Sequence, residues 1–164
     1  MSKRSAAAVK GLTAQERFDF HLSRRFPKFS GRANRLVYRA SGGRIGASKR
    51  NIPIGLLTTT GRRSGRARTV PVMYLDDGSR FLVVASNGGF DAPPAWYLNL
   101  IANPGAEFHT RSGVLRVHGR ALDDDERAEV WDRLVRHNPL WGAFQSCTDR
   151  GTTVVALEQS TQAR

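Results

Sequence analysis

Cysteine is nearly absent from this chain: Cys147 is the only one in 164 residues. A lone thiol excludes an intramolecular disulfide framework and a cysteine-rich zinc site, and it suits a reducing compartment. Long apolar runs are missing too, and nothing approaches the roughly 20 residues needed to span a bilayer. The N-terminus, MSKRSAAAVKG, is basic but has no long apolar core, so it does not read as a secretory signal. Carboxylates are scarce where bases are dense. Residues 1–68 hold 17 Lys and Arg against 2 Asp and Glu, whereas residues 69–164 hold 9 against 12. The net charge of +12 therefore belongs to the N-terminal part. Such asymmetry points to an anionic partner: nucleic acid, phospholipid or a phosphorylated small molecule.

The familiar catalytic constellations are also missing. There is no HExxH, CxxC, GxSxG or phosphate-binding GxxxxGK[ST]. His21, His109, His118 and His137 are scattered without ligand spacing and read as surface or strand histidines. Asp123–Asp125 reads as a helix start, so no metal site is expected. If the chain is an enzyme, a bound cofactor carries the hard chemistry.

What is present divides into two parts. Residues 1–50 read as a basic tail with an amphipathic helix, and residues 51–164 as one folded domain. Thr13-Ala14-Gln15-Glu16 is a capping box, and a helix should run from it to about Phe26, stopped by Pro27. Phe18, Leu22 and Phe26 give that helix an apolar face. Two readings fit: the face docks on the chain's own domain, or it lies on an anionic membrane surface. Residues 30–50 read as a connector with a short helix near Asn34–Arg39.

From residue 53 the texture becomes strand-like. Strands are expected at Ile54–Thr60, Arg68–Leu75, Phe81–Ala85, Glu107–Arg111, Val114–Leu122 and Gly151–Leu157. Asp77-Gly78 and Ser112-Gly113 mark hairpin turns. Helices are expected at Ala95–Ala102, behind Pro94, and from Asp123 to about Asn138. Strands joined mostly by hairpins argue for an antiparallel barrel or sheet with packed helices, an α+β fold that is mainly antiparallel β.

Within that frame, LLTTTGRRSGRAR (56–68) stands out. Arg62, Arg63, Arg66 and Arg68 follow a strand within seven residues, with no carboxylate among them. Glycines expose backbone amides, and arginine offers bidentate donors to phosphate or carboxylate, so the turn is a candidate anion site. A solvated basic hairpin tip is the other reading. Trp96 and Tyr97 fit a pocket lining or a core equally well.

TTTGRRSGRARTVPV, VVASNGG, PAWYLNLIANP and FQSCTDR, in that order, resemble the deazaflavin-dependent nitroreductases of actinobacteria. The resemblance runs from about Ile54 to the C-terminus. It implies a split β-barrel related to FMN-binding pyridoxamine phosphate oxidases. It implies reduced 8-hydroxy-5-deazaflavin (coenzyme F-420) as cofactor, with FMN in the same barrel as the alternative. By motif match the phosphate and polyglutamate tail fall to Arg62, Arg63, Ser64, Gly65 and Arg68. The ring falls to Pro71 and Met73, to the loop Ala85, Ser86, Asn87 and Gly88, and to Trp96 and Asn99. The family's best-known member has lysine at the position of Asn87, and three tyrosines where this chain has Asn138, Trp141 and Phe144.

The expected activity is hydride transfer to an electron-poor small molecule: a quinone, an enone or a nitroaromatic. Ser86 and Trp141 are the candidate catalytic residues, and Asn138, Trp141 and Phe144 the candidate acceptor pocket. The second hypothesis is a basic module binding nucleic acid or membrane without turnover. The basic segment lacks the aromatic–basic alternation suited to base stacking, so nucleic acid is not the expected partner. Peripheral membrane contact through residues 13–50 is compatible with the enzyme, as is a cytoplasmic place at the inner face of the plasma membrane. The chain is expected as a monomer or homodimer.

Overall fold

The computed structural model describes residues 12–25, 48–49 and 52–160. Helix α1 spans Ala14–Arg25. A two-residue strand, β1 (Ser48–Lys49), pairs with the start of β2 (Ile52–Thr60). Then come β3 (Ala67–Asp76), β4 (Arg80–Val84), α2 (Ala95–Ala102), β5 (Gly105–Thr110) and β6 (Gly113–Ala121). The chain continues as α3 (Asp124–His137), α4 (Pro139–Gln145) and β7 (Val154–Gln159). Strands run in the order β2-β3-β4-β7-β6-β5, and β5 pairs back onto β2. Every pairing is antiparallel, so six strands close into a barrel with helices packed on it. This is the antiparallel α+β architecture the hairpin spacing predicts.

Closure makes two cores from one sheet. Side chains alternate faces along a strand. On β3, Val72 and Tyr74 enter the barrel while Met73 and Leu75 face the helices. On β4, Val83 points in and Leu82 and Val84 point out; on β7, Val155 and Leu157 point in and Val154 and Ala156 out. A strand covered on both faces reads as a continuous apolar run, which is why Phe81–Val84 shows no alternation. Inside, the rings of Tyr74, Phe81 and Phe108 meet edge-on at 5.2 to 5.5 Å. Gly55 is required there, because a β-carbon would come within 2.4 Å of the Phe108 ring. Leu100 of α2 plugs the barrel and is 1 % exposed.

The second core lies between the barrel wall and α1, α3 and α4. Helix α1 is held by its capping box: the Glu16 carboxylate accepts from the Thr13 N–H at 2.7 Å, and the Thr13 hydroxyl accepts from the Glu16 N–H at 3.3 Å. Its buried face is Glu16 and Phe20, joined by Leu12 just before the helix, and Phe20 stacks on Phe144 at 5.4 Å. The expected face is thus corrected at Phe18, which is 61 % exposed. Two residues of offset rotate a helix by about 200°, so Phe18 sits opposite Phe20. The Leu22 side chain, Phe26 and the expected helix at Asn34–Arg39 lie outside the described residues.

Helix α3 begins as expected, with Asp123 and Glu126 forming a reciprocal capping box. Glu126 also accepts from Arg120 at 2.6 and 2.7 Å and from Arg80 at 3.2 Å, tying α3 to β6 and β4. The expected final strand starts at Val154 rather than Gly151. Helix α4 has no counterpart among the expected elements.

Candidate functional site

The backbone of β3 defines one side of the site. The Gly61 N–H donates to the Arg66 carbonyl at 2.9 Å and closes the β2–β3 hairpin. Hydrogen-bonded and non-hydrogen-bonded pairs alternate along an antiparallel ladder. Counting along the register from Gly61–Arg66, the pairs Thr58–Thr69, Leu56–Pro71 and Ile54–Met73 are non-hydrogen-bonded. The 2.9 Å contact between the Thr58 and Thr69 hydroxyls fits the close side-chain approach of such a pair. The backbone groups of Thr69, Pro71 and Met73 therefore face away from β2. β4 covers β3 only from Tyr74 to Asp76. The edge from Ala67 to Met73 has no strand partner among the described residues. Pro71 belongs there, because it has no N–H to lose from a ladder.

At the near end stands the arginine turn. The Gly65 N–H donates to the Gly61 carbonyl at 2.8 Å, with Gly65 at φ +64°. Arg62, Arg63, Arg66 and Arg68 are all exposed, and none meets a carboxylate among the described residues. The turn is moored by one buried amide. Asn99, 5 % exposed on α2, accepts from the Arg62 N–H at 3.2 Å and donates to the Thr59 hydroxyl at 3.1 Å. A cleft of about 440 Å³ opens here, with Arg62, Arg63, Arg68, Thr69, Val70 and Trp96 in its wall.

At the far end stands a glycine turn. Ala85 and Ser86 leave β4 into a short 3₁₀ turn, Asn87–Gly89. Asn87, Gly88 and Gly89 are consecutive left-handed residues, at φ 47°, 66° and 74°. Continuing the β3–β4 register past Tyr74–Val83 would set Ser86 opposite Pro71, but pairing stops first and the strands part. The Ser86 hydroxyl has no hydrogen bond among the described residues, and Asn87 spends its side-chain amide on the Ala92 carbonyl at 2.8 Å.

The expected cofactor residues thus come together along one strand edge and its two flanking turns. Arg62, Arg63, Ser64, Arg68, Trp96 and Asn99 line the cleft. Gly65 is the exposed apex of the turn, Pro71 and Met73 lie along β3, and Ala85 to Gly88 form the far turn. Asn99 is committed to the protein itself. The expected acceptor pocket is a different matter. Asn138, Trp141 and Phe144 are 1 %, 3 % and 7 % exposed; Trp141 and Phe144 lie in the second core, with Phe144 stacked on Phe20 of α1. Asn138 spends its carbonyl on capping α4 through Leu140 N–H and its amide on the Met73 sulfur at 3.4 Å. These three residues are not brought to the cleft.

Sequence reasoning missed Arg150. Its guanidinium donates to the carbonyls of Ala85 at 2.8 Å, Ser86 at 3.1 Å and Phe90 at 3.2 Å. Burial lowers its pKa from the ordinary arginine value, opposed by Asp91 and Tyr97. The only signal was its place in FQSCTDR; spacing gave none.

An antiparallel split barrel, with an open strand edge between a cationic turn and a glycine turn, defines a class: proteins that lay a phosphorylated, planar cofactor along a barrel wall. Similarity then fixes the family. Residues 30–159 match the model of the F420H(2)-dependent quinone reductases, and this chain belongs to that family. It is 35 % identical over 130 residues to an F420H(2)-dependent quinone reductase of Mycobacterium tuberculosis, covering 77 % of this chain and 87 % of that one. A solved F420-H2 dependent reductase, FDR-A, superposes with a TM-score of 0.60 at 37 % identity, over 65 % of this chain and 94 % of that one. A second structure, described as a domain-swapped dimer, gives 0.62 at 34 %, over 77 % and 93 %. The chain is accordingly an oxidoreductase with reduced coenzyme F420 as hydride donor, and FMN is not needed as an alternative. The residues present fit that cofactor. A polyanionic tail needs cations free of acidic partners, and the arginine turn supplies them; a planar ring with a polar edge needs unpaired backbone groups, and β3 supplies those.

Among the described residues, no cluster of three His, Cys, Asp or Glu could hold a metal ion, and no helix is long and apolar enough to cross a membrane.

Proposed function

We propose that this chain reduces a quinone with coenzyme F420 held along the open edge of β3. The observation that carries this assignment is the juxtaposition of four acid-free arginines with an unpaired strand edge. Arg62, Arg63 and Arg68 bind the phosphate and tail carboxylates through charge-assisted hydrogen bonds, roughly twice as strong as neutral ones. Thr69 and Met73 offer amide donors and Pro71 a carbonyl acceptor to the polar edge of the ring. The Ser86 hydroxyl offers one further donor, and Trp96 flanks the cleft.

When bound, the reduced deazaflavin supplies a hydride from its C5 carbon. The protein contributes orientation, holding donor and acceptor about 3–3.5 Å apart. The quinone takes up the hydride and one solvent proton and leaves as the hydroquinone, so two electrons pass and the atoms balance. Trp141 and Phe144 are buried, and Phe144 is stacked on Phe20, so serving this acceptor requires that α1 be displaced. The test is a titration of purified protein with coenzyme F420 followed by fluorescence, then anaerobic mixing of the reduced coenzyme with a soluble naphthoquinone. Binding with quinone-dependent oxidation supports the reading; no binding overturns it.

A second reading concerns location and assembly. Phe18, exposed on the outward face of α1, supports peripheral contact with an anionic membrane through residues 13–50, where a lipid-soluble quinone would be met. Equal flotation of wild type and Phe18→Ser with anionic vesicles would remove it. The relative solved as a domain-swapped dimer supports a dimeric state, which light scattering decides.

A further inference from the structure

The glycine turn is strained, and one side chain bridges its two ends. Three successive left-handed residues include Asn87, where a non-glycine side chain pays a steric cost. Within it the Gly89 N–H donates to the Ser86 carbonyl at 2.9 Å and the Phe90 N–H to the Asn87 carbonyl at 3.3 Å. What spans it is Arg150, which grips the carbonyls of Ala85 and Ser86 at the entry and of Phe90 at the exit. The base of the grip is fixed as well. The Arg150 N–H donates to the Thr148 hydroxyl at 3.4 Å, and that hydroxyl donates to Asp91 at 3.0 Å, just beyond the turn.

The grip has a directional consequence. A trans peptide holds its C=O and the following N–H antiparallel. With the Ala85 and Ser86 carbonyls drawn to Arg150, the N–H groups of Ser86 and Asn87 point away from it. Neither amide donates to any described residue. Two adjacent free amides make a small donor site for an anionic or carbonyl oxygen.

We propose that Arg150 is a positioning residue for the hydride-transfer site: it holds the Ser86 and Asn87 peptide planes so that both amides serve as donors to the bound coenzyme. This rests on the coenzyme site assigned above. A guanidinium suits the task because its planar fork reaches three carbonyls at once, whereas a lysine ammonium is a single point. Arg150 itself touches no reacting atom.

The test compares wild type, Arg150→Ala and Arg150→Lys, all in the full chain. Without coenzyme, hydrogen exchange across residues 85–91 should quicken in both variants while the barrel strands stay protected. With coenzyme F420, the Kd should rise roughly 10- to 100-fold in Arg150→Ala, the loss expected for hydrogen bonds to a charged group. Arg150→Lys, which keeps the charge and the fold, should recover less than half of that loss on a logarithmic scale. Free guanidinium at low millimolar concentration should restore binding to Arg150→Ala and not to Arg150→Lys. Unchanged Kd and exchange in both variants overturn the proposal, as does full recovery by lysine. If wild type itself fails to bind the coenzyme, the functional assignment falls instead, and quickened exchange at 85–91 still reports the grip.

Discussion

The two turns that bound the open edge of β3 both use arginine, and they use it in opposite ways. In the turn after β2 the guanidinium groups are exposed and have no acidic partners among the described residues, and a buried amide holds the backbone. In the turn after β4 the backbone carbonyls are the held part, and a half-buried guanidinium grips them from behind. One turn leaves its charge exposed to solvent; the other consumes its charge in structure. The physics separates the two uses. An exposed cation remains solvated until an anion arrives, so it adds little to folding. A buried cation must be satisfied by the protein, so it fixes whatever satisfies it. Arginines that look alike in a sequence thus divide into solvated and scaffolding groups by burial.

The comparison breaks most sharply in the doubly substituted arginine turn. Arg63→Ala with Arg68→Ala should weaken coenzyme F420 by roughly 100-fold, from the loss of charge-assisted contacts to a multiply charged tail. A deazaflavin lacking phosphate and tail should bind both proteins equally, and the melting temperature should hardly move. A large fall in melting temperature would mean that these arginines are scaffolding after all. Raising salt should narrow the gap between wild type and variant, since exposed charges are screened.

Asn99→Ala should act through the mooring instead. It removes the acceptor of the Arg62 N–H and the donor to the buried Thr59 hydroxyl, which keeps only its long bond to the Arg68 carbonyl, at a cost of about 1–3 kcal/mol in stability. Coenzyme affinity should fall by about 3- to 10-fold, again only for tail-bearing forms. Denaturant unfolding and the two-ligand titration check the two halves. A loss of affinity for the tail-less ring would place Asn99 at the ring rather than behind the turn.

Much of this site was legible because its signals are local. Strand-forming composition, Asp-Gly and Ser-Gly turns and capping boxes place β2 to β7 and the start of α3, and the acid-free arginine run is visible directly. What escaped depends on tertiary contacts. The face of α1 was misjudged because Phe18 and Phe20 are both large and apolar, and only Phe144 decides which is buried. Helix α4 is too short for periodicity, though Asn138-Pro139 is a good cap and first-turn pair. Trp141 and Phe144 are expected at an open pocket and lie instead in the second core, which no residue spacing encodes. Arg150 reaches back some sixty residues to Phe90 and Ala85, and a contact of that range leaves no spacing signal.

Glycine substitutions sharpen the contrast at smaller cost. Gly65 and Gly88 share a left-handed φ, +64° and +66°. A β-carbon on Gly65 would meet nothing within 4 Å, so Gly65→Ala should cost only the backbone term, about 1–2 kcal/mol, and Gly65→Asn less. Gly88→Ala carries the same backbone term inside the turn that Arg150 spans, so it should also lower the rate of quinone reduction. Thermal unfolding paired with steady-state rates separates the two; equal rates in both variants would make the far turn a passive wall.

The smallest expected effect on either turn comes from the far side of the barrel, which makes it the control. The side-chain hydrogen bond from Arg120 holds the Glu126 carboxyl at about 2, below the usual carboxylate range, with further help from the Asp123 backbone and Arg80. A carboxylate depressed in the folded state stabilises fully above its unfolded pKa, near 4.3. That contribution is lost as pH falls towards about 2, because the unfolded chain takes up the proton first. Glu126→Gln should therefore flatten the stability profile between about pH 4.5 and 2 and leave coenzyme affinity unchanged at neutral pH. If it weakened the coenzyme, the strand edges would be transmitting strain across the barrel, and the independence of the two turns would have to be abandoned.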